Sequence, residues 1–279
     1  MEARMPALEE IREQVRQALL EDVGSGDRTA MLLPADAVST AHLICRQTAV
    51  ICGRPWFDET FRQLDPSVQI RWFVDEGVSA TPETVVCELH GNTRALLTAE
   101  RTALNYLQTL SGTATRAHAY AEAVRDTGVR ILDTRKTLPG LRLQQKYAVV
   151  CGGGHNHRFG LYDAILIKEN HIEAAGSITA ALAAAAEVAT DLEIEVEVED
   201  IPALKEALDA GARRILLDNF DLDQLREAVA ITAGRARLEA SGGVTLERVR
   251  AIAETGVDDI SVGDLTKDVA AVDLSLRFV

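Results

Sequence analysis

The chain has 279 residues, 47% hydrophobic and 26% charged, which is enough to bury a full core and more than one layered system. Its 43 acidic residues against 29 basic ones give a formal charge of -14. That balance excludes a general nucleic-acid or anionic-membrane surface, so any anionic ligand must be captured by a local basic cluster. With 7 Pro, 19 Gly and no polar low-complexity tract, disordered and fibrous classes are excluded too. Cys45, Cys52, Cys87 and Cys151 form no CxxC pair, which fits a reducing compartment. No apolar run approaches the ~18 residues of a membrane helix, and charges run through residues 1–20 without a signal-peptide pattern. A cytoplasmic protein is expected.

Leu8, Ile11, Val15 and Leu19 recur at helical spacing, predicting an amphipathic helix over 7–22 that stops at Gly24-Ser25-Gly26. Short runs rich in Val, Ile and Leu follow at 38–45, 49–52, 68–74 and 84–89, with a helical stretch at 56–64; these predict a small α+β module. A long helix is expected over 98–126, with Ser111-Gly112 as a candidate break. Six strand-like runs then appear at 129–132, 164–167, 193–198, 214–217, 236–239 and 259–262. The intervening helices fall at 139–150, 177–189, 201–209, 221–232 and 245–254. Strict β-α alternation predicts parallel strands with helical crossovers. No Gly-rich dinucleotide fingerprint follows the first strand, so a barrel is favoured over a doubly wound sheet. Six units are two short of a full barrel, and the alternating tail 269–279 reads as a strand returning to the first module.

Barrel chemistry belongs at the ends of strands. Here the endings read Asp133-Thr134-Arg135-Lys136, Lys168-Glu169-Asn170-His171, Glu197 to Asp200, Asp218-Asn219, Ser241-Gly242-Gly243 and Gly263-Asp264. Between Thr134 and Tyr162 there is no Asp or Glu, while Arg135, Lys136, Arg142, Lys146 and Arg158 accompany His155 and His157. Such a window suits an anion site, and Arg135 and Arg158 are the residue type that grips carboxylate or phosphate in a fork. Cys151 with His155 and His157 lacks an evident fourth zinc ligand, so Cys151 reads as a packing residue. Leu192 to Glu199 alternates strictly, which puts the glutamates on one face of the strand. In a barrel the apolar face meets the helices, so the glutamates point inward. Lys136 and Lys168, or Mg²⁺ held by Glu197 and Asp218, are the expected compensation. Ser241-Gly242-Gly243 and Gly263 suit a phosphate held by backbone N–H groups.

Several segments resemble the motif series of the quinolinate phosphoribosyltransferase family, in order and over nearly the whole chain: Asp133–Thr137, Gly152–Leu161, Leu166–His171, Glu195–Val198, Leu217–Asn219 and Ala240–Gly243, with Glu100–Asn105 resembling its helix motif. The resemblance implies an α/β fold with an N-terminal α/β (open-faced) sandwich domain over 1–112, completed by the tail 265–279, and an incomplete β/α barrel over 113–264. It implies a homodimer with shared active sites and leaves assembly into hexamers open. The implied reaction joins quinolinate to 5-phosphoribosyl 1-diphosphate and gives nicotinate mononucleotide, diphosphate and CO₂. Arg135, His157 and Arg158, with Lys136 close by, are the expected dicarboxylate grip; Arg101 is implied to reach the neighbouring subunit's pocket. Lys136, Lys168, Glu197 and Asp218 are the expected catalytic set, with Mg²⁺ on Glu197 and Asp218. Thr134, Ser241, Gly242, Gly243 and Gly263 complete the substrate contacts.

The family usually reads Gly-Ala-Leu-Thr where this chain has Gly263-Asp264-Leu265-Thr266. An acid there is unfavourable beside a phosphate if it turns inward, so Asp264 is left outside the expected site. A molybdenum-transport-associated relative of the family is the near alternative, and a Schiff-base aldolase using Lys168 the distant one.

Overall fold

The computed structural model describes residues 5–188 and 191–279. In chain order the elements are α1 (Leu8–Val23), β1 (Val38–Cys45), β2 (Ala49–Val50), α2 (Arg54–Leu64), β3 (Gln69–Trp72), β4 (Ser79–Ala80), β5 (Val85–Asn92) and α3 (Thr93–Ala123). There follow β6 (Arg130–Leu132), α4 (Arg142–Cys151), β7 (Ala164–Ile167), α5 (Glu169–Ala175), α6 (Ile178–Val188), β8 (Glu193–Val198), α7 (Ile201–Asp209), β9 (Arg214–Asp218) and α8 (Leu222–Thr232). The chain closes with β10 (Arg237–Ser241), α9 (Leu246–Ala253), β11 (Asp259–Ser261), α10 (Asp264–Lys267) and β12 (Leu274–Phe278). The helix end expected at residue 189 lies outside the described residues.

Two compact units result. The first takes the chain up to His118 together with Leu143–Gly153 and Asp268–Val279; the second takes Ala119–Arg142 and Gly154–Lys267. The division drawn from sequence, 1–112 and 265–279 against 113–264, differs chiefly because most of α4 packs within the first unit: Tyr147 and Ala148 join Ile11, Val15, Leu19 and Trp56 in one apolar cluster.

In the first unit the sheet order is β12-β1-β5-β3. The tail pairs antiparallel with β1, Leu43 opposite Leu276, as its alternation predicts. α1 buries Ile11, Val15 and Leu19, the stripe read from its spacing. α3 runs unbroken through Ser111-Gly112, so the candidate break does not occur. These small residues mark close packing. Ser111 Oγ accepts the Cys52 N–H at 2.9 Å, and a Cβ on Gly112 would lie 2.2 Å from the Ala270 carbonyl oxygen.

In the second unit all six strands are parallel, in the order β6-β11-β10-β9-β8-β7. This is the cyclic order of a β/α barrel, and among the described residues no ladder joins β6 to β7, so the six units form an incomplete barrel. Across that opening, His155 bridges Leu132 in parallel sense. α7 starts on an Asp200 side-chain cap and α8 on an Asp221 cap, which fix where each crossover leaves its strand. α5 and α10 were not anticipated from sequence; at seven and four residues they are too short to show an apolar period.

Candidate active site

At the C-terminal ends of the parallel strands lies a cavity of about 450 Å³. Thr134, Arg135, Lys136, His157, Arg158, Lys168, Glu197, Asp218 and Ser241 all line it, together with Leu166, Leu216, Glu239 and Ser261. Gly242 and Gly263 sit at its margin by their neighbours: Gly242 follows Ser241, and the Lys136 side chain lies along Gly263, with Nζ 3.7 Å from where a Cβ would stand. Arg101 belongs to the first unit, where it is exposed on α3.

The basic segment is fixed by a buried acid. Asp133, fully buried at the end of β6, accepts from Asn156 Nδ2 at 2.6 Å and from the His157 N–H at 2.9 Å. The His155 N–H donates to the Ile131 carbonyl at 2.8 Å, and the Asp133 N–H donates to that of His155 at 3.0 Å. His157 and Arg158 are therefore carried to the cavity by a segment laid along β6. Arg142, one of the cations in the acid-free window, is consumed structurally: it donates to Thr137 Oγ1 and to the carbonyls of Arg135 and Phe159. Asp163, just beyond the window, accepts the Phe159 and Gly160 N–H groups.

The glutamate strand points inward at two rungs. Glu195 and Glu197 are buried, whereas Glu193 and Glu199 are exposed because they lie at and beyond the strand's ends. Compensation differs from the expectation. Lys168 Nζ meets Glu197 Oε2 at 2.5 Å, but Glu195 is paired with Arg214 Nε at 2.9 Å and His157 Nε2 at 2.9 Å. Lys136 takes no part in either pair. Arg214, itself buried, also donates to Glu239 Oε2 at 2.6 Å. Below it, Arg130 and Arg237 both fork onto the fully buried Asp259. A layer of ion pairs thus floors the cavity.

Burial alone would raise Glu195, yet His157 and Arg214 hold its carboxyl below the ordinary range. Burial and the Glu195 charge push Glu239 up to about 7. Burial would lower His157, but its bond to Glu195 and the Glu239 charge raise it. Glu197 is raised by burial, with Lys168 opposing and Asp218 adding to the rise. Arg158 is lowered by burial and by the like charge of Arg135. The expected dicarboxylate grip therefore divides: Arg135 and Arg158 repel each other at the cavity wall, while the imidazole of His157 is bound to the floor.

The last two strand ends are shaped for close approach. Gly242 has φ +92°, and a Cβ on it would fall 2.2 Å from Asn219 Oδ1, so only glycine fits. Asp264 turns toward Tyr120, whose hydroxyl donates to its Oδ2 at 2.7 Å.

Sequence reading missed Arg214, Glu239 and Ser261. The signal was present: alternation places Arg214, Leu216 and Asp218 on one face of β9, and Arg237, Glu239 and Ser241 on one face of β10.

A parallel β/α sheet whose strand ends gather cations, carboxylates and glycine turns around one cavity defines a barrel enzyme that handles a polyanionic small molecule. Comparison with known proteins narrows this. The family model "Quinolinate phosphoribosyl transferase, N-terminal domain" matches residues 27–111, and the model for its C-terminal domain matches 113–277. A Bacillus subtilis (strain 168) protein named probable nicotinate-nucleotide pyrophosphorylase (carboxylating) is 41% identical over 268 residues, 96% of this chain and 93% of its own. A mitochondrial quinolinate phosphoribosyltransferase (decarboxylating) of Nicotiana tabacum is 39% identical over 289 residues, 96% of this chain and 82% of its own. The structure of the nicotinate-nucleotide pyrophosphorylase from Francisella tularensis superposes with a TM-score of 0.97 at 43% identity, covering 100% of this chain and 99% of that one. The chain belongs to the quinolinate phosphoribosyltransferase family.

Proposed function

We propose that the chain transfers the phosphoribosyl group of 5-phosphoribosyl 1-diphosphate to quinolinate, releasing diphosphate and CO₂ and forming nicotinate mononucleotide for NAD biosynthesis. One observation carries the reading within the fold. Arg135 and Lys136 are exposed on the cavity wall beside Arg158, and among the described residues neither Arg135 nor Lys136 has a side-chain hydrogen bond or ion pair. Cations held together without a carboxylate are stabilised when an anion arrives.

Arg135 and Arg158 take the two carboxylates of quinolinate, and His157, bound to Glu195, shapes that end of the cavity. The pyridine nitrogen is the nucleophile at ribose C1, so no Ser or Cys is needed. As the bond to diphosphate breaks, positive charge grows on the sugar and Glu197 stabilises it. Lys168 and Lys136 balance the departing negative charge, with Thr134, Ser241 and the turns at Gly242, Gly243 and Gly263 receiving phosphate oxygens. Ribosylation leaves the pyridine nitrogen cationic, and that ring accepts the electron pair when the neighbouring carboxylate leaves as CO₂.

Glu197 and Asp218 suit Mg²⁺ as hard oxygen donors facing one cavity, the charge of Asp218 already unfavourable for ionised Glu197. They form a pair, which matches an ion that takes one or two carboxylates and fills its shell with water and phosphate. Bound there, Mg²⁺ would neutralise charge on the leaving diphosphate. The working form is a cytoplasmic homodimer in which Arg101 completes the partner's site. None of the described helices is long and apolar enough to cross a membrane.

The test is release of diphosphate and CO₂ with quinolinate, nicotinate and nicotinamide as alternative acceptors. One CO₂ per diphosphate with quinolinate alone supports the assignment. Equal turnover of nicotinate, or diphosphate release without CO₂, overturns it.

A further inference from the structure

In the first unit, among residues that take no part in the proposed reaction, three side chains converge: the Sγ atoms of Cys52 and Cys151 and a carboxylate oxygen of Glu76 lie within 4.8 Å of one another. Cys52 is fully buried between β2 and α2, and Cys151 is the last residue of α4, partly accessible. The pair is separated by almost a hundred positions in sequence, and it is the fold that brings the thiols together.

A metal reading is the weaker one. Glu76 Oε1 accepts the Gly53 N–H at 2.7 Å and Oε2 accepts the Arg54 N–H at 3.2 Å; both oxygens cap the first turn of α2, where a carboxylate is favoured. That leaves two thiols, short of the four ligands a closed zinc site needs. The two thiols are also unlike. Hydrogen bonding from Cys52 holds the Cys151 thiol below the ordinary cysteine range, Tyr147 acting in the same direction against burial and the Glu76 charge. Burial pushes Cys52 well up. One sulfur is thus readied as a nucleophile while the other keeps its proton beside it. Cys151 is partly accessible, and its neighbours Glu76 and Tyr147 line a cavity of about 580 Å³ whose wall does not include either thiol.

The geometry points to Cys52 and Cys151 as a reversible dithiol–disulfide pair, oxidised by hydroperoxides. The Cys151 thiolate attacks the terminal oxygen of the peroxide and the O–O bond breaks, leaving a sulfenic acid; the departing hydroxide or alkoxide takes up a proton equivalent to the one the thiol lost and leaves as water or an alcohol. Cys52 then attacks the Cys151 sulfur, its proton leaves with the displaced hydroxide as water, and the S–S bond forms; two thiols have lost two electrons to one peroxide. From sulfurs within 4.8 Å to a bond of ~2.05 Å, the movement required is at most about 3 Å. Thiol exchange with small dithiols reverses it.

The experiment treats the intact native protein with hydrogen peroxide, blocks remaining thiols by alkylation, and maps peptides without reduction. A peptide pair joined through Cys52 and Cys151, lost after dithiothreitol, is the expected result. In Cys52→Ser the same treatment should leave a Cys151 sulfenic acid that dimedone traps. The proposal is overturned if both thiols are alkylated after peroxide, if Cys151 runs on to a sulfinic acid with no cross-linked peptide, or if the link joins Cys45 or Cys87 instead. Zinc that co-purifies and leaves only when Cys52 and Cys151 are alkylated would overturn it as well. If a serine variant fails to fold, the wild-type map alone decides.

Discussion

Lys168 Nζ and Glu197 Oε2 meet at 2.5 Å across the ends of the neighbouring strands β7 and β8. The lysine opposes the upward push that burial and Asp218 exert on the glutamate. Lys168→Met should therefore move ionisation of Glu197 to higher pH. Turnover should fall by roughly a hundredfold, and the acidic limb of the pH profile of kcat should shift toward neutrality. An unchanged acidic limb would separate Glu197 from the catalytic step. The same contact engages the amine that a Schiff-base reaction would require.

Arg135→Ala and Arg158→Ala should each weaken quinolinate binding by about 2 to 5 kcal/mol, measured by calorimetry with the free acid. Binding of 5-phosphoribosyl 1-diphosphate should change far less. Comparable losses for both ligands would mean that these arginines serve the phosphate side.

With Mg²⁺ present, Glu197→Gln and Asp218→Asn should lower kcat about a hundredfold or more while quinolinate still binds. EDTA treatment should abolish wild-type turnover, and full activity after it would remove the metal from the scheme.

Arg214 is a matter of stability first. Replacing it by Met leaves Glu239 without its hydrogen-bonded partner and Glu195 with His157 alone in a buried layer, and losing one partner of a buried pair costs about 3 to 5 kcal/mol. The urea midpoint should drop accordingly. The pH dependence has a definite sign: Glu239, held at about 7, binds its proton more tightly folded than unfolded. Its contribution is present at low pH and declines as pH rises from about 4.5 to about 7. His157, also raised, acts in the same direction just above its ordinary range. Glu239→Gln should flatten this decline, and a midpoint that rises with pH across the window would contradict it.

Shared sites can be tested by mixing. If Arg101 completes the partner's site, inactive Arg101→Ala and Arg135→Ala dimers unfolded and reassembled together give mixed dimers with one intact site each. Half the dimers are mixed, so activity should return to roughly a quarter of wild type. No recovery despite proven exchange of subunits rules the arrangement out.

Much of the fold and of the cavity wall is legible in the residues alone. β7 falls where its apolar run places it, because buried parallel strands are written as short Val, Ile and Leu runs, and β8 falls where its strict alternation places it. The wall is legible because its cations crowd one acid-free window. The floor is not, although period-two alternation is there to read. Arg214 opens β9 and Glu239 follows Arg237 in β10, short strands in which charges so placed look like strand edges; their meaning comes from lateral register, Glu195 beside Arg214 and Glu239 beside Asp259. Register between strands is set by the closing of the sheet, which no single segment records. The proximity of Cys52, just before α2, and Cys151, at the end of α4, comes from packing between distant segments and is likewise hidden in the sequence.

β12 lies against β1 although residues 46–273 separate them. During synthesis from the N-terminus, β1 therefore leaves the ribosome with one edge unclaimed, and every barrel strand follows before its partner emerges. An uncovered strand edge is where chains pair wrongly. The nascent first unit thus passes through a long interval in which chaperone cover counts most, and ribosome stalling or truncation shortly before Leu274 would leave that edge open for good.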